Sequence, residues 1–129
     1  MARNKYLNTK TTAGGKKFDS LHERNRWNEL NLLQRAGKIS GLQRQVKFVL
    51  IPTQYEKYER YSNKTGKRLK DGLRLLEREC SYIADFVYFE DGIKIVEDAK
   101  GYKGGGAYEV FTIKRKLMLS VHNIRIKEV

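Results

Sequence analysis

Asp85, Asp98 and Lys100 are the residues of this 129-residue chain whose types and spacing best suit chemistry. They fall within residues 82–100, YIADFVYFEDGIKIVEDAK, where β-branched and aromatic runs flank Asp91-Gly92. Asp-Gly is a preferred type I′ hairpin dipeptide, so the stretch predicts two antiparallel strands. Counting outward from a two-residue loop sets Glu90 against Ile93, Tyr88 against Ile95, Val87 against Val96 and Asp85 against Asp98. Two carboxylates then face each other with Cβ atoms about 5 Å apart, which destabilises a sheet unless something neutralises them. Lys100, two residues past Asp98, lies on the same face. A hard cation such as Mg²⁺ or Mn²⁺ prefers carboxylate oxygens and would relieve the repulsion. The alternative is a pair of surface carboxylates beside a solvated lysine. Ile83, Val87 and Val96 on the same face favour the buried reading, and Glu97 is expected on the opposite one.

The elements that must position these groups are legible around them. Residues 20–36 read as a helix, with Ser20 as N-cap, Glu23 completing an S-x-x-E capping box and Gly37 at the left-handed C-terminal position. Glu23 lies between Trp27 and Leu30 on the helical wheel, so it either serves the cap alone or aims at the sheet with the other acids. Leu21, Leu32 and Ala36 form a second apolar strip that a partner subunit would cover. Residues 41–52 read as a strand around Val46, Phe48 and Leu50, ended by Pro52. On it, Gln45 is either solvent-facing or a polar group near the site. Residues 53–72 form a basic, tyrosine-rich insertion, read as a loop or a short helix; it is either a lid over nucleic acid or a solvated loop. After Lys100 a glycine-rich connection carrying Lys103 leads to a helix over 108–123. Val110, Ile113, Leu117 and Val121 form its apolar stripe, with Lys114 inside it and Lys116 outside. Residues 124–129 close the chain as a short strand.

Composition narrows the function classes. A hydrophobic fraction of 40% with 14 aromatic residues excludes a disordered chain, and the length fits one domain, residues 18–129, behind a flexible basic arm over 1–17. The net charge of +12 favours a polyanionic partner, with nucleic acid first. Candidate phosphate contacts are Lys10, Lys16 and Lys17 in the arm, Lys64, Lys67 and Arg68 in the insertion, and Lys103 and Lys116 farther on. No apolar run approaches the ~20 residues of a membrane span and no signal-peptide pattern is visible, so cytoplasmic residence is expected. A lone Cys80 excludes an intrachain disulfide and a multi-cysteine zinc site. No Walker A pattern, His-rich metal motif or Ser/His/Asp arrangement is visible.

The Asp85…Asp98-Ala99-Lys100 pattern resembles the core motif of the PD-(D/E)XK nuclease superfamily, with Ala84 where the motif name has Pro. The segments KTT-x4-KFDS-x2-E, AGKI-x2-LQRQV, YIADFVY, VEDAKG and IKRKL are similar to those of an uncharacterised family of small phage-encoded proteins assigned to that superfamily. They cover most of the chain. The glycine-rich run after VEDAKG departs from that pattern, where a threonine-bearing stretch is expected. The resemblance implies an α/β fold with a restriction-endonuclease-like core, a mixed central sheet flanked by helices. It implies an Mg²⁺- or Mn²⁺-dependent DNA endonuclease in the host cytoplasm, with Asp85, Asp98, Glu23 and the Ala99 carbonyl as metal ligands. It also assigns Lys100 and Lys114 to catalysis, since members often carry a glutamate on the first helix and a lysine on the helix after the second motif. Archaeal-type Holliday junction resolvases, which act as dimers on branched DNA, are similar in size and in that glutamate. A reading from another class is a non-catalytic DNA-binding or packaging-accessory protein, which the charge suits equally. Facing acids among basic groups are the feature such a binder would not need.

Overall fold

Asp91 and Gly92 turn the chain with φ of 51° and 77°, the paired left-handed residues of a type I′ turn. The ladder they start runs from Glu90 opposite Ile93 to Phe86 opposite Glu97, as counted from the sequence. The computed structural model describes residues 11–13, 16–18, 20–100 and 103–129. In chain order these form β1 (Thr11–Ala13), β2 (Lys16–Phe18), α1 (Leu21–Arg35), β3 (Ser40–Ile51), β4 (Gln54–Tyr61), β5 (Arg68–Glu77), β6 (Cys80–Glu90), β7 (Ile93–Asp98), α2 (Gly105–His122) and β8 (Lys127–Glu128). The result is a mixed α/β fold. Its main sheet has the order β3-β6-β7-β8, antiparallel except for the parallel β7–β8 pair. β1 with β2 and β4 with β5 form separate two-stranded hairpins.

The two helices pack against different sets of sheet residues. Leu30 of α1 is fully buried in a cluster with Ile39, Phe86 and Tyr88, flanked by Trp27, Leu42, Ile95 and Ala99. Phe111 and Met118 of α2 are buried with Phe48, Leu50, Tyr82, Ala84, Val87 and Val96. Neighbours on a strand point to opposite faces, so Ile95 and Val96 place the helices on opposite sides of β7. Ser20 caps α1 by accepting the Glu23 N–H at 3.1 Å, and Asn123 ends α2 in the left-handed conformation.

A kink in the β3–β6 pair divides the sheet. Gln45 has φ 52° in mid-strand, which costs a residue with a Cβ roughly 1–2 kcal/mol. The ladder resolves Arg44 opposite Phe86 and Val46 opposite Ala84 but skips Gln45 and Asp85 between them. Facing switches there: Leu42, Phe86 and Tyr88 join the α1 cluster, whereas Val46, Phe48, Tyr82 and Ala84, all even-numbered too, join the α2 cluster. A regular strand would keep them on one face. This overturns one expectation, for Ile83 lies beyond the switch and is 52% exposed instead of sharing the buried face of Val87 and Val96.

Three further expectations change. Residues 53–72 are neither loop nor short helix; they lie in the β4–β5 ribbon, closed by a turn in which the Gly66 N–H bonds the Ser62 carbonyl at 2.8 Å. α2 begins at Gly105, inside the expected glycine-rich connection. Its buried face carries Phe111 and Met118 with Tyr108 beside them, while Val110, Ile113 and Val121 of the expected stripe are exposed. The helix has two apolar stripes, and the aromatic one buries more area. Residues 11–13 pair with 16–18 as two short strands, and the rest of the expected basic arm over 1–17 lies outside the described residues. Leu21 and Leu32 are exposed.

Candidate functional site

At the kink, the strands bring the acids together in the way their local geometry requires. Asp85 and Asp98 are the next step outward from the last resolved pair of the β6–β7 ladder. There the Asp85 side chain takes over from the backbone: its Oδ2 accepts the Ala99 N–H at 2.8 Å. Asp98 is only 5% exposed. Its Oδ2 accepts the Tyr82 hydroxyl at 2.6 Å, and its Oδ1 pairs with Lys100 Nζ at 2.9 Å. Lys100 Nζ also lies 3.8 Å from the centre of the Phe111 ring, a cation–π contact that fixes the ammonium between helix and strand. The β8 backbone holds this end of β7, with the Lys100 N–H on the Val129 carbonyl and the Val129 N–H on the Asp98 carbonyl, both at 2.9 Å.

Glu23 reaches the same place from α1. Its backbone N–H serves the Ser20 cap, while its buried side chain accepts Gln45 Nε2 at 3.3 Å and lies 3.6 Å from Arg44 Nη2. Gln45 Nε2 also lies 3.4 Å from Asp85 Oδ1, so the left-handed residue bridges two of the acids. Glu23 therefore acts at the cap through its backbone and at the sheet through its carboxylate. Arg44 in turn stacks 4.0 Å over the Phe18 ring.

Charge pairing among the described residues is uneven here. Lys100 serves Asp98 and Arg44 serves Glu23, but Asp85 has no salt bridge among the described residues. Burial, with the nearby charges of Asp98 and Glu23, pushes its carboxyl up to about 7; the Ala99 N–H and Lys100 pull the other way. Burial and the hydrogen bond to Asp98 push the Tyr82 hydroxyl far above its ordinary range. Three oxygen-bearing acids with one of them uncompensated are the donor chemistry that hard divalent cations favour. Among the described residues no group of three such side chains already stands in coordinating geometry; each carboxylate is instead turned to an internal donor.

One strand position away, the opposite arrangement appears. Glu97 is fully buried, receives Arg26 Nε at 2.8 Å and Nη2 at 2.6 Å, and also accepts the Tyr88 hydroxyl. This bidentate pair raises the Arg26 guanidinium above its already high value. It is a closed structural pair on the face away from Asp98.

Asp85, Asp98, Lys100 and Glu23 are thus neighbours, and the Ala99 backbone is bonded into the cluster through its N–H. Lys114 is half-buried on α2 and joins no hydrogen bond or ion pair among the described residues. Lys64, Lys67 and Arg68 lie on the ribbon, Lys103 is exposed ahead of α2, and Lys116 is exposed on it. Lys10 and the side chains of Lys16 and Lys17 lie outside the described residues. Tyr82 and Arg44 were not legible as site residues, and Gln45 was only an alternative. The strand pattern marks Tyr82 as core, and no residue type announces a left-handed glutamine.

Among the described residues no helix is long and apolar enough to cross a membrane. Comparison with curated proteins and with solved structures brings up no match. A family model described as "Protein of unknown function (DUF1064)" matches residues 3–128, and the chain belongs to that family.

Proposed function

We propose that the protein is a metal-dependent endonuclease that hydrolyses phosphodiester bonds in DNA, with a PD-(D/E)XK-type core. The observation that carries this reading is the meeting of Asp85, which has no salt bridge among the described residues, with Asp98 and Glu23 beside Lys100, in a chain of net charge +12. With the β1–β2 and β4–β5 hairpins set aside, the order α1, β3, β6 with Asp85, β7 ending at Asp98 just before Ala99-Lys100, α2 and β8 supports such a core.

Asp85, Asp98, Glu23 and the Ala99 carbonyl would hold Mg²⁺ or Mn²⁺. When bound, such an ion acidifies water and offsets charge building on a phosphate. The chain's own groups do the rest. Tyr82 and the Ala99 N–H hold the Asp98 and Asp85 carboxylates in place through their hydrogen bonds. Lys100, anchored by Phe111, orients the attacking water or neutralises developing negative charge. Gln45 keeps Glu23 and Asp85 in mutual register. Lys114, on the helix facing β6, remains a second cation for the phosphate. Branched DNA as substrate, a homodimeric assembly and action in the host cytoplasm belong to the same proposal.

The test is incubation with linear, nicked, flapped and four-way-junction DNA in Mg²⁺, Mn²⁺ or EDTA. Cleavage of at least one substrate with metal and none in EDTA is expected. Binding without cleavage in every arm would favour the non-catalytic DNA-binding reading.

A further inference from the structure

The β4–β5 ribbon is the part of the molecule that its own core does not explain. Every residue of β4 is exposed, as is every residue of β5 except half-buried Gly72, and among the described residues the ribbon packs substantially on no other element. Isolated two-stranded ribbons are marginal in water, so this one is built either with internal bracing or for a partner. Bracing is present. The Tyr58 ring lies across Gly72, where a Cβ would stand 2.4 Å from the ring's Cζ. Arg74 sits 4.8 Å over that ring and pairs with Glu56 at 2.9 Å.

Charge is sorted along the ribbon's length. Residues 60–70, the distal half, carry five cations (Arg60, Lys64, Lys67, Arg68, Lys70) and no acid. The proximal half carries Lys57 and Arg74 against Glu56, Glu59, Asp71 and Glu77. Only Arg68 of the distal cations is paired among the described residues, with Asp71 at 2.8 Å. A solvated surface hairpin has no need of such sorting. A tip that meets a polyanion does.

We infer that the ribbon is an arm whose basic tip enters the major groove of double-stranded DNA beside the site. This deepens the nuclease reading and rests on it for the identity of the polyanion. A two-stranded ribbon fits a groove about 12 Å wide. The seven residues from Gln45 to Ile51, Pro52 and Thr53, and the eight of β4 span at most about 56 Å at ~3.3 Å per residue, roughly one and a half duplex turns. The tip therefore grips DNA up to roughly one and a half turns from the cut phosphate. A second copy of the chain is a poor occupant, because a tip with five cations, four of them unpaired among the described residues, would approach a molecule of net charge +12.

The test is binding in EDTA, read by fluorescence anisotropy across a salt titration, with a duplex of about 30 base pairs or a single strand of the same length. The variant carries Arg60→Gln, Lys64→Gln, Lys67→Gln and Lys70→Gln, with circular dichroism and sedimentation as controls. The slope of log affinity against log salt should fall by about 3 to 4, with binding at least about tenfold weaker near 100 mM salt. An unchanged slope would overturn the inference, as would preference for the single strand. A dimeric wild type and a monomeric variant with equal DNA binding would reassign the ribbon to a second copy and overturn it too. Ribbon-dependent duplex binding by a wild type that cuts nothing with Mg²⁺ would support the arm and sink the nuclease reading alone.

Discussion

Glu97 and Asp98 are adjacent on one strand, both buried, yet they sit in opposite electrostatic situations. Glu97 meets a bidentate arginine and a tyrosine hydroxyl, so its charge is matched where it stands. Asp98 meets Lys100 and the Tyr82 hydroxyl, and Glu23 meets Arg44, but Asp85 beside them has no salt bridge among the described residues and its carboxyl is pushed up to about 7. Burial of a carboxylate says little about its role. What separates the two is the neighbour: Glu97 stands with its arginine alone, whereas Asp98 stands beside Asp85, an acid with no salt bridge among the described residues, and that is an instability the fold retains.

The largest expected effect is in the cluster around Asp85. Asp98→Asn should lower metal-dependent cleavage by about 10³-fold or more, roughly 4 kcal/mol in the barrier, with the fold intact by circular dichroism. On the compensated side the loss should be one of stability. Arg26→Ala strands Glu97 in the core, so chemical denaturation should report about 3–5 kcal/mol lost.

Asp85→Asn should carry the opposite sign. In the fold its carboxyl titrates near 7 against an ordinary 3.8, so the native state holds the proton more tightly than the unfolded chain. The stability from that proton is complete below about pH 4 and is lost as pH rises through about 7. Metal-free Asp85→Asn should therefore be more stable than wild type at pH 8, by up to about 4 kcal/mol, with a flatter profile between pH 4 and 7. Thermal melts across that range decide it; equal profiles would mean that the pair is not frustrated.

Glu23→Gln is the subtlest comparison, because the Ser20 cap uses the Glu23 backbone and survives. Cleavage should fall about 10- to 100-fold, as for groups that place or supply a ligand, while stability shifts by no more than about 1 kcal/mol. Normal cleavage would return Glu23 to a purely structural place beside Arg44.

The two regions also differ in how far the sequence discloses them. The hairpin register was legible because Asp91-Gly92 selects one turn type, and the turn sets every pairing out to Phe86 and Glu97. α1 was legible from its caps. The kink was not, since Gln45 carries no mark of a left-handed backbone, and without it the exposure of Ile83 cannot be foreseen. The ribbon hid behind tyrosines at every third position, 55, 58 and 61, which match neither strand nor helix periodicity, among Lys and Glu residues that disfavour strands. Its Asn63-Lys64-Thr65-Gly66 turn was the available signal. The buried face of α2 was ambiguous because two apolar stripes compete on one helix. Arg26 as partner of Glu97 depends on α1 lying over β7, which no local pattern encodes.

The central claim is that the acid cluster around Asp85 forms a divalent-cation site and the arginine-paired Glu97 does not. Calorimetric titration of Mn²⁺ into the metal-free protein at about pH 8, above the Asp85 titration, tests it most directly. Saturable binding to wild type and to Glu97→Gln, lost in both Asp85→Asn and Asp98→Asn, is the predicted result. Unaltered Mn²⁺ binding by Asp98→Asn would contradict it.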